Sequence, residues 1–238
     1  MINLSCSFDP EEANPAIGLI VLQADETLEP EFRQAAADIP NPLYISRIPS
    51  APSVTRANLA RMEGDLTAAA TLLPPCRFSA VGYACTSASS VIGSDEVERL
   101  VRAGCNTEAV TNPIRATVAC ASALGVSRFA LVSPYVEEVV TPLLSAFAQD
   151  GIDMPVFGSF GVADEHLVTR ISCQSVVDAA LHLGASDGVD AVFLSCTNLR
   201  TLEAAEIIEK RLKKPVISSN SALTWHLRTL ASSRQPKI

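Results

Sequence analysis

The chain alternates short apolar runs with longer amphipathic stretches, and this alternation restricts the fold more than any other feature of the sequence. Apolar runs bounded by Pro, Gly, Asn or Ser, as strands commonly are, lie at 16–22, 43–48, 79–84, 128–133, 155–160, 190–195 and 215–218. Helical patterns lie between them, at 55–73, 112–124, 136–149, 165–183, 199–212 and 222–230. Strand followed by helix, repeated, is typical of parallel sheets covered by helices on both faces. The sequence therefore predicts an α/β fold.

Two segments of the chain resemble each other. Residues 80–87 read Ala-Val-Gly-Tyr-Ala-Cys-Thr-Ser, and residues 191–198 read Ala-Val-Phe-Leu-Ser-Cys-Thr-Asn. Cys85 and Cys196 thus each follow a buried strand and precede a helical stretch, at the strand end where open α/β sheets bind ligands. The likeness predicts two pseudo-symmetric lobes with parallel sheets and an active site between them. Chance similarity of apolar strands is the alternative, which the shared Cys-Thr pair makes weaker.

The chain is punctuated between the two similar segments. Gly104, Asn106, Asn112 and Pro113 lie close together and indicate a boundary near 106–112. We assign residues 1–108 and 216–238 to a first lobe that carries Cys85, with the last segment adding a strand and a closing helix. Residues 109–215 form the second lobe.

Composition excludes several classes of function. Of the 238 residues 48% are hydrophobic and 18% charged, as in a well-packed globular enzyme, and the net charge of −8 disfavours binding to nucleic acid or an anionic membrane. No apolar run approaches the roughly 18 residues of a membrane span, and the first residues lack the features of a signal peptide.

Seven cysteines without a CxxC spacing argue against a zinc site and a disulfide framework, and for a reducing cytoplasm. No phosphate loop or dinucleotide fingerprint is present. We therefore expect a cytoplasmic enzyme with neither metal nor cofactor.

Paired thiols suit chemistry next to a carboxylate. One thiol removes a proton while the other delivers one to the opposite face, or one attacks carbon while the other handles a proton. Helix N–H groups at the two turns stabilise a thiolate, so we expect a thiol pKa below the usual value of about 8.5. The alternative is that the cysteines only fill space, which is our interpretation of the five others, Cys6, Cys76, Cys105, Cys120 and Cys173.

The order of several motifs resembles a known family. The motifs are residues 18–22, 82–90, 133–135, 195–198 and 218–220, followed by Trp225-His226. They are similar to the aspartate/glutamate racemase superfamily, particularly its branch of maleate cis–trans isomerases and arylmalonate decarboxylases, and within that branch to ectoine-utilisation proteins. The resemblance spans nearly the whole chain. It implies two Rossmann-like lobes, no cofactor, a small carboxylic acid or amino acid as substrate, and self-association into a homo-oligomer.

The resemblance also implies roles for both thiols. Cys85 matches the first catalytic cysteine and Cys196 the second. In the isomerases the first thiol adds to the double bond of maleate, and rotation and elimination then give fumarate. In the racemases the pair acts as two acid–bases, whereas decarboxylases keep only the second cysteine and have glycine at the first position. We therefore predict an isomerase or racemase. The alternatives are a decarboxylase that uses Cys196 and a non-catalytic protein that binds small carboxylates.

Further residues match positions that contact the substrate in this family. Thr86, Ser87 and Tyr135 fall where relatives bind a substrate carboxylate, and Thr197 supplies donors beside the second thiol. Tyr135 follows Ser-Pro, so an ordinary role in loop packing is the alternative.

Two positions depart from the isomerase pattern. An asparagine of the isomerases is Asp25 in this chain, and a second asparagine is replaced by Glu165 or its neighbour Asp164. An ionised carboxylate repels a dicarboxylate such as maleate but pairs with an ammonium group. These replacements favour an amino acid or another cationic substrate. The alternative for Asp25 is that it caps the following helix, a common role of aspartate.

Overall fold

The computed structural model of the chain describes residues 3–8 and 15–232, which form two sheets with their helices. The elements around the first sheet are β1 (Ala16–Leu22), α1 (Leu28–Ala35), β2 (Leu43–Ile48), α2 (Arg56–Thr71), β3 (Phe78–Ala84), α3 (Thr86–Ile92), α4 (Ser94–Gly104), β4 (Val110–Thr111) and α5 (Pro113–Leu124). Those around the second sheet are β5 (Arg128–Ser133), α6 (Glu137–Gln149), β6 (Asp153–Ser159), α7 (Glu165–Val168), α8 (Cys173–Gly184), β7 (Ala191–Leu194), α9 (Leu202–Leu212), β8 (Val216–Ser218) and α10 (Ser219–Ser232).

The two sheets have the same topology. Their strand orders are β2-β1-β3-β4 and β6-β5-β7-β8, and every pairing is parallel. The predicted architecture of two pseudo-symmetric α/β lobes is confirmed. Each predicted apolar run overlaps one strand, with β3 starting one residue and β6 two residues earlier than predicted, whereas β4, which has only two residues, was not predicted. The predicted helix 165–183 is two helices, because the Ser172 hydroxyl accepts the backbone N–H of Ser175 at 3.1 Å and starts α8 anew.

Two strands belong to the sheet of the other lobe from the one predicted. β8 pairs with β7, with Val192 opposite Val216, so the expectation that the last segment adds a strand to the first lobe is wrong. β4 pairs with β3, with Val81 opposite Val110, although its residues were assigned to the second lobe. In each half the fourth strand extends the sheet beside the strand that leads into a cysteine. α10 then leaves the second sheet and packs on the first.

The strands β1 and β3 of the first sheet are buried on both faces, which explains their largely apolar sequences. Ile17 and Leu19 of β1 belong to a cluster with Leu223 and Leu227 of α10. Ile20 faces the opposite way, into a larger core that continues through the second sheet. Both sheets are thereby parts of one packed body. No helix in the described ranges is long and apolar enough to cross a membrane.

The contact between α2 and α4 supplies a test of packing. A Cβ on Gly104 would lie 2.5 Å from the carbonyl oxygen of Thr67 and 2.6 Å from the Cβ of Ala70. We expect Gly104→Ala to lower the free energy of unfolding by about 1–3 kcal/mol, because the helices must separate. Gly64, in the exposed part of α2, has nothing within 4 Å of that position. Gly64→Ala is the control and should stabilise by about 0.5–1 kcal/mol. Urea unfolding curves measure both effects; equal stability of the two variants would contradict the close helix contact.

Candidate active site

Cys85 lies directly after β3 and precedes α3. Its side chain is buried, with 3% of the residue exposed. The sulfur accepts the backbone N–H of Ala88 at 3.4 Å and lies 3.6 Å from the hydroxyl of Ser87. Two donors therefore surround the first thiol on its own chain segment.

Cys196 follows β7 in a strained conformation. Its φ of 128° lies outside the regions that residues with a side chain favour. The backbone N–H of Cys196 donates to the hydroxyl of Ser219 at 3.0 Å, and its sulfur accepts the N–H of Asn198 at 3.3 Å. Strain of this kind persists only where the surroundings hold it, and it is concentrated at functional sites.

The two strand ends that carry the cysteines are hydrogen-bonded to each other. The hydroxyl of Thr197 donates to the carbonyl of Ala84 at 3.2 Å, which joins the neighbours of the two thiols in sequence. The hydroxyl of Thr86 donates to that of Ser219 at 2.8 Å, and Ser219 also accepts the N–H of Cys196. The structure therefore brings together the two segments whose likeness was visible in the sequence. The hydroxyls of Thr86 and Thr197 both serve this junction.

Tyr135 is buried beside the second thiol. Its phenol hydrogen-bonds to the sulfur of Cys196, and it is electrostatically coupled to Cys85 and Glu165 as well. Burial raises the pKa of the phenol well above its usual value, and the surrounding acidic groups add to that effect. The tyrosine is therefore a neutral donor to the site. Its N–H donates to the hydroxyl of Ser133 at 3.2 Å, which fixes the turn after β5.

Asp25 has a different task for each of its carboxyl oxygens. Oδ1 accepts the N–H groups of Thr27 at 2.9 Å and Leu28 at 2.8 Å, so it caps the start of α1 as the alternative interpretation expected. Oδ2 is buried and has no hydrogen-bond partner among the described residues. Its neighbours include the side chain of Thr197, and both thiols are within its electrostatic influence. The same side chain thus caps a helix and faces the thiols.

Glu165 is the acidic residue of α7 that turns inward. It is 6% exposed, and its Oε2 accepts the side-chain amide of Asn198 at 3.1 Å. The neighbouring Asp164 is exposed and caps α7 by accepting the N–H groups of His166 and Leu167. Of the two residues that the sequence left open at this position, only Glu165 faces the site.

Asn198 was missed as a site residue by the sequence reasoning. Besides Glu165, its amide binds two groups of the loop after β1: Oδ1 accepts the N–H of Glu26 at 2.9 Å, and Nδ2 donates to the carbonyl of Ala24 at 3.2 Å. Asn198 therefore holds the Asp25 loop, Glu165 and the Cys196 thiol in one arrangement. Its place next to Cys-Thr in the repeated segment was the available signal, but its distant partners cannot be inferred from spacing.

The expectation that helix N–H groups lower the pKa of both thiols is wrong. Burial raises the pKa of Cys85 to about 12 and that of Cys196 well above its usual value. The N–H groups of Ala88 and Asn198 act in the expected direction, but desolvation outweighs them, and the nearby carboxyls of Glu165 and Asp25 oppose further negative charge. In the ligand-free state both sulfurs carry protons.

The two carboxyls also hold protons more tightly than usual. Burial raises the pKa of Asp25 from 3.8 to about 6, although the N–H groups of Leu28 and Thr27 oppose the change. Burial likewise raises the pKa of Glu165, with Asp25 adding to the effect and the amide of Asn198 opposing it. Ionisation of Asp25 therefore disfavours the ionised form of Glu165.

The raised pKa of Asp25 makes stability depend on pH. Since the folded state binds the proton more tightly than the unfolded state, this stabilisation is complete below about pH 4 and is lost as the pH rises through 6. Asn retains the helix cap but does not titrate. We expect Asp25→Asn to gain up to about 3 kcal/mol relative to the native chain between pH 4 and pH 7.5. Urea unfolding across this range measures the difference, with Asp164→Asn as the capping control. If the difference in unfolding free energy between Asp25→Asn and the native chain did not change with pH, the raised pKa of Asp25 would be contradicted.

The site is closed in this structure. The segment before α7 crosses to the first lobe, where the N–H of Val54 donates to the carbonyl of Ala163 at 2.8 Å and Glu165 donates to the carbonyl of Pro52 at 3.0 Å. A cavity of about 320 Å³ reaches Glu165 from outside, lined also by Ala24, and neither thiol lines it. Parting of these segments would open a route from this cavity past Glu165.

Fold and site together define the class: a two-lobed α/β protein with one buried cysteine at the equivalent strand end of each lobe. The chain belongs to the arylmalonate decarboxylase family, whose model matches residues 17–237.

Individual relatives agree with this assignment. An arylmalonate decarboxylase of Bordetella bronchiseptica is 33% identical over 110 residues, 46% of each chain. A maleate isomerase of Pseudomonas putida is 26% identical over 225 residues, 88% of each chain. Among solved structures, a maleate cis–trans isomerase of Nocardia farcinica, a cysteine-to-serine mutant with a covalently bound succinylcysteine intermediate, has a TM-score of 0.79 at 24% identity and covers 92% of this chain and 93% of that one. The prediction of an isomerase of this superfamily is supported by these relatives.

Proposed function

We propose that the protein is a cofactor-independent isomerase or racemase that acts next to the carboxylate of a small acid through Cys85 and Cys196. The observation that carries this proposal is the junction of the two strand ends, in which Thr197 binds Ala84 and Thr86 binds Ser219. This contact between the strand ends that carry the two thiols supports a site in which one small molecule meets a thiol from each lobe. The strained backbone of Cys196 supports a functional role for that thiol.

In a racemase reaction the two sulfurs exchange roles. One cysteine first loses its thiol proton to solvent as the substrate binds. The resulting thiolate takes the α-proton of the substrate, and the electron pair of the broken C–H bond is delocalised into the carboxylate as an enediolate. The other thiol gives its proton to the opposite face of the α-carbon and is itself left as a thiolate. No electron leaves the site, so no redox cofactor is required. The phenol of Tyr135, a neutral donor hydrogen-bonded to Cys196, stabilises negative charge as it develops.

In a cis–trans isomerase reaction Cys85 acts as the nucleophile. Its thiolate forms a C–S bond to one alkene carbon, and the π electron pair moves to the other carbon, where the carboxylate stabilises it. After rotation about the new single bond, the same pair re-forms the double bond and the C–S bond breaks. The succinylcysteine of the Nocardia farcinica relative is an adduct of this type in that protein. Its occurrence in a structural relative supports covalent chemistry as one form of the proposal.

The remaining residues have supporting roles in this proposal. Ser87 and Tyr135 donate to the substrate carboxylate, while Thr86 and Thr197 position the strand ends through their bonds to Ser219 and Ala84. Asp25 and Glu165 contact the rest of the substrate. We further propose a cytoplasmic homo-oligomer, and the resemblance to ectoine-utilisation proteins makes amino acids from ectoine breakdown candidate substrates.

The proposal is tested by incubating the protein with a panel of small acids in deuterated solvent. Racemisation introduces deuterium at the α-carbon, which mass spectrometry detects, and isomerisation of maleate leaves a succinyl adduct on Cys85 when the reaction is quenched. Release of carbon dioxide from an arylmalonate without deuterium exchange in other acids would instead establish the decarboxylase that uses Cys196. Binding without any conversion would establish the non-catalytic alternative.

A further inference from the structure

We propose that the substrate carries an ammonium group, which binds between the carboxylates of Asp25 and Glu165. The inference rests on the proposed function only for the location of the site. It concerns the chemical class of the molecule that enters, and it makes the acidic pair the part of the site that selects this molecule.

The free oxygen of Asp25 is the first observation. Asp25 is 4% exposed, and its Oδ1 is fully used by the cap of α1. Oδ2 has no hydrogen-bond partner within residues 15–232, because the hydroxyl of Thr197, which is close enough to lower the pKa of Asp25, donates its proton to the carbonyl of Ala84. An unpaired buried carboxylate oxygen is costly, and such a group is retained where a ligand completes its hydrogen bonding. Since Oδ2 is an acceptor when the group is ionised, the missing partner is a donor.

The charge balance of the site is the second observation. Asp25, Glu165, Cys85 and Cys196 are all acidic: the two carboxyls raise the pKa of both thiols, and Asp25 also raises that of Glu165. Within the described part of the chain, no recorded hydrogen bond or ion pair brings a Lys, Arg or His side chain to either thiol or to either carboxyl. Arg47 lies behind Asp25 and its charge lowers the pKa of that carboxyl, but its guanidinium donates to backbone carbonyls of the same loop and pairs with the exposed Glu29. The four acidic groups therefore outnumber this nearby cation, and a cationic ligand would balance their charge.

An ammonium group fits the site better than other cations. Ca²⁺ and Mg²⁺ take about six or more oxygen ligands and Zn²⁺ takes about four ligands, and among the described residues no group of three or more His, Cys, Asp or Glu side chains is placed to hold a metal ion. An ammonium group has three donors. Oδ2 of Asp25 and the carboxylate of Glu165 provide acceptors for two of them.

Binding of this group would also activate the thiols. The pKa of both sulfurs is raised partly by the charges of Glu165 and Asp25. A positive charge between the carboxylates cancels that contribution and favours a thiolate at the moment the substrate is present. Reactivity of the thiols is thereby linked to occupancy by the correct ligand.

The surface beside the site is also acidic. A groove of about 640 Å³ begins at Glu26 and Thr27, immediately after Asp25. Its charged lining residues are Glu26, Glu31, Glu203, Glu206 and Arg200, four carboxylates against one guanidinium. A field of this sign attracts cations to the surface beside the site and repels dicarboxylates.

The test compares acids that differ only in an amino group. Calorimetric titration of the native protein at pH 7.5 uses butyrate, 2-aminobutyrate, propionate, alanine, 2,3-diaminopropionate and maleate as probes, with both enantiomers of each amino acid. We expect at least one amino acid to bind about tenfold or more tightly than its parent acid. Asp25→Asn, which keeps the cap, should abolish that preference. Asp164→Asn removes one exposed carboxylate outside the site and should leave the preference unchanged.

Three results would overturn the inference: no binding by any amino acid, equal or tighter binding of butyrate, propionate or maleate, or an unchanged preference in Asp25→Asn. The outcomes also separate the inference from the proposed function. Conversion of maleate that depends on both thiols, without a preference for amines, would keep the function and reject the ammonium site. Amine binding that depends on Asp25, without deuterium exchange in any probe, would keep the ammonium site and reject the proposed function.

Discussion

Replacing Cys196 with serine is expected to lower turnover of the best acid in the panel by about 10³-fold or more. Serine preserves the size of the residue and its backbone bond to Ser219, but its hydroxyl is a far weaker acid and nucleophile than a thiol. The hydrogen bond from the phenol of Tyr135 then has no thiolate to stabilise. Deuterium exchange at the α-carbon, followed by mass spectrometry, measures the effect directly under single-turnover conditions.

The matching variant at the first thiol separates the candidate reactions. Cys85→Ser should reduce an isomerase or racemase reaction by a similar factor, whereas a decarboxylase that uses Cys196 alone would retain most of its activity. Cys120→Ser is the control, since Cys120 is a buried cysteine of α5 whose pKa burial also raises to about 12. Full activity in both Cys85→Ser and Cys196→Ser would reject catalysis by the thiol pair.

The second large effect is expected on stability. Asn198→Ala removes an amide whose oxygen and nitrogen bind groups of the first lobe, and it leaves the buried Glu165 carboxylate without its donor. We expect the free energy of unfolding to fall by about 2–4 kcal/mol, because buried polar groups lose their partners. The melting temperature should fall by about 5–10 °C at this chain length.

A matched asparagine supplies the control for this effect. The side-chain amide of Asn58 donates to the carbonyl of Ser53 in an exposed position. Asn58→Ala should change stability by less than about 0.5 kcal/mol. If calorimetry found equal melting temperatures for the two variants, the amide of Asn198 would not join the lobes as described. Asn198→Asp adds a further check, since a third carboxylate beside Glu165 should destabilise more at pH 8 than at pH 5.

The parts of this fold that are encoded locally were predicted well. The strands β1 and β5 match their apolar runs because each is buried by layers on both sides and bounded by polar or helix-breaking residues. The two Cys-Thr segments were placed correctly at strand ends for the same reason. The short β4 escaped prediction because two residues carry no period, and its existence depends on β3 beside it.

The electrostatics of the site depend on contacts that are distant in sequence. Helix N–H groups can be anticipated from a strand-to-helix turn, but the desolvation that raises the pKa of Cys85 results from packing between the lobes. The same holds for Asn198 and for Glu31, whose carboxylate on α1 accepts the N–H groups of Thr201 and Leu202 at the start of α9. Neither partner can be identified from local spacing.

The position of α10 on the first sheet has a consequence for biosynthesis. Leu223 and Leu227 cover the face of β1 and β3 around Leu19 and Gly82, yet α10 is translated after every other element of both sheets. While the second sheet is being synthesised, the apolar face of the first sheet is not yet covered by α10. Such surfaces are where nascent chains aggregate or recruit chaperones. We therefore expect the amino-terminal half to complete its folding only when α10 has emerged.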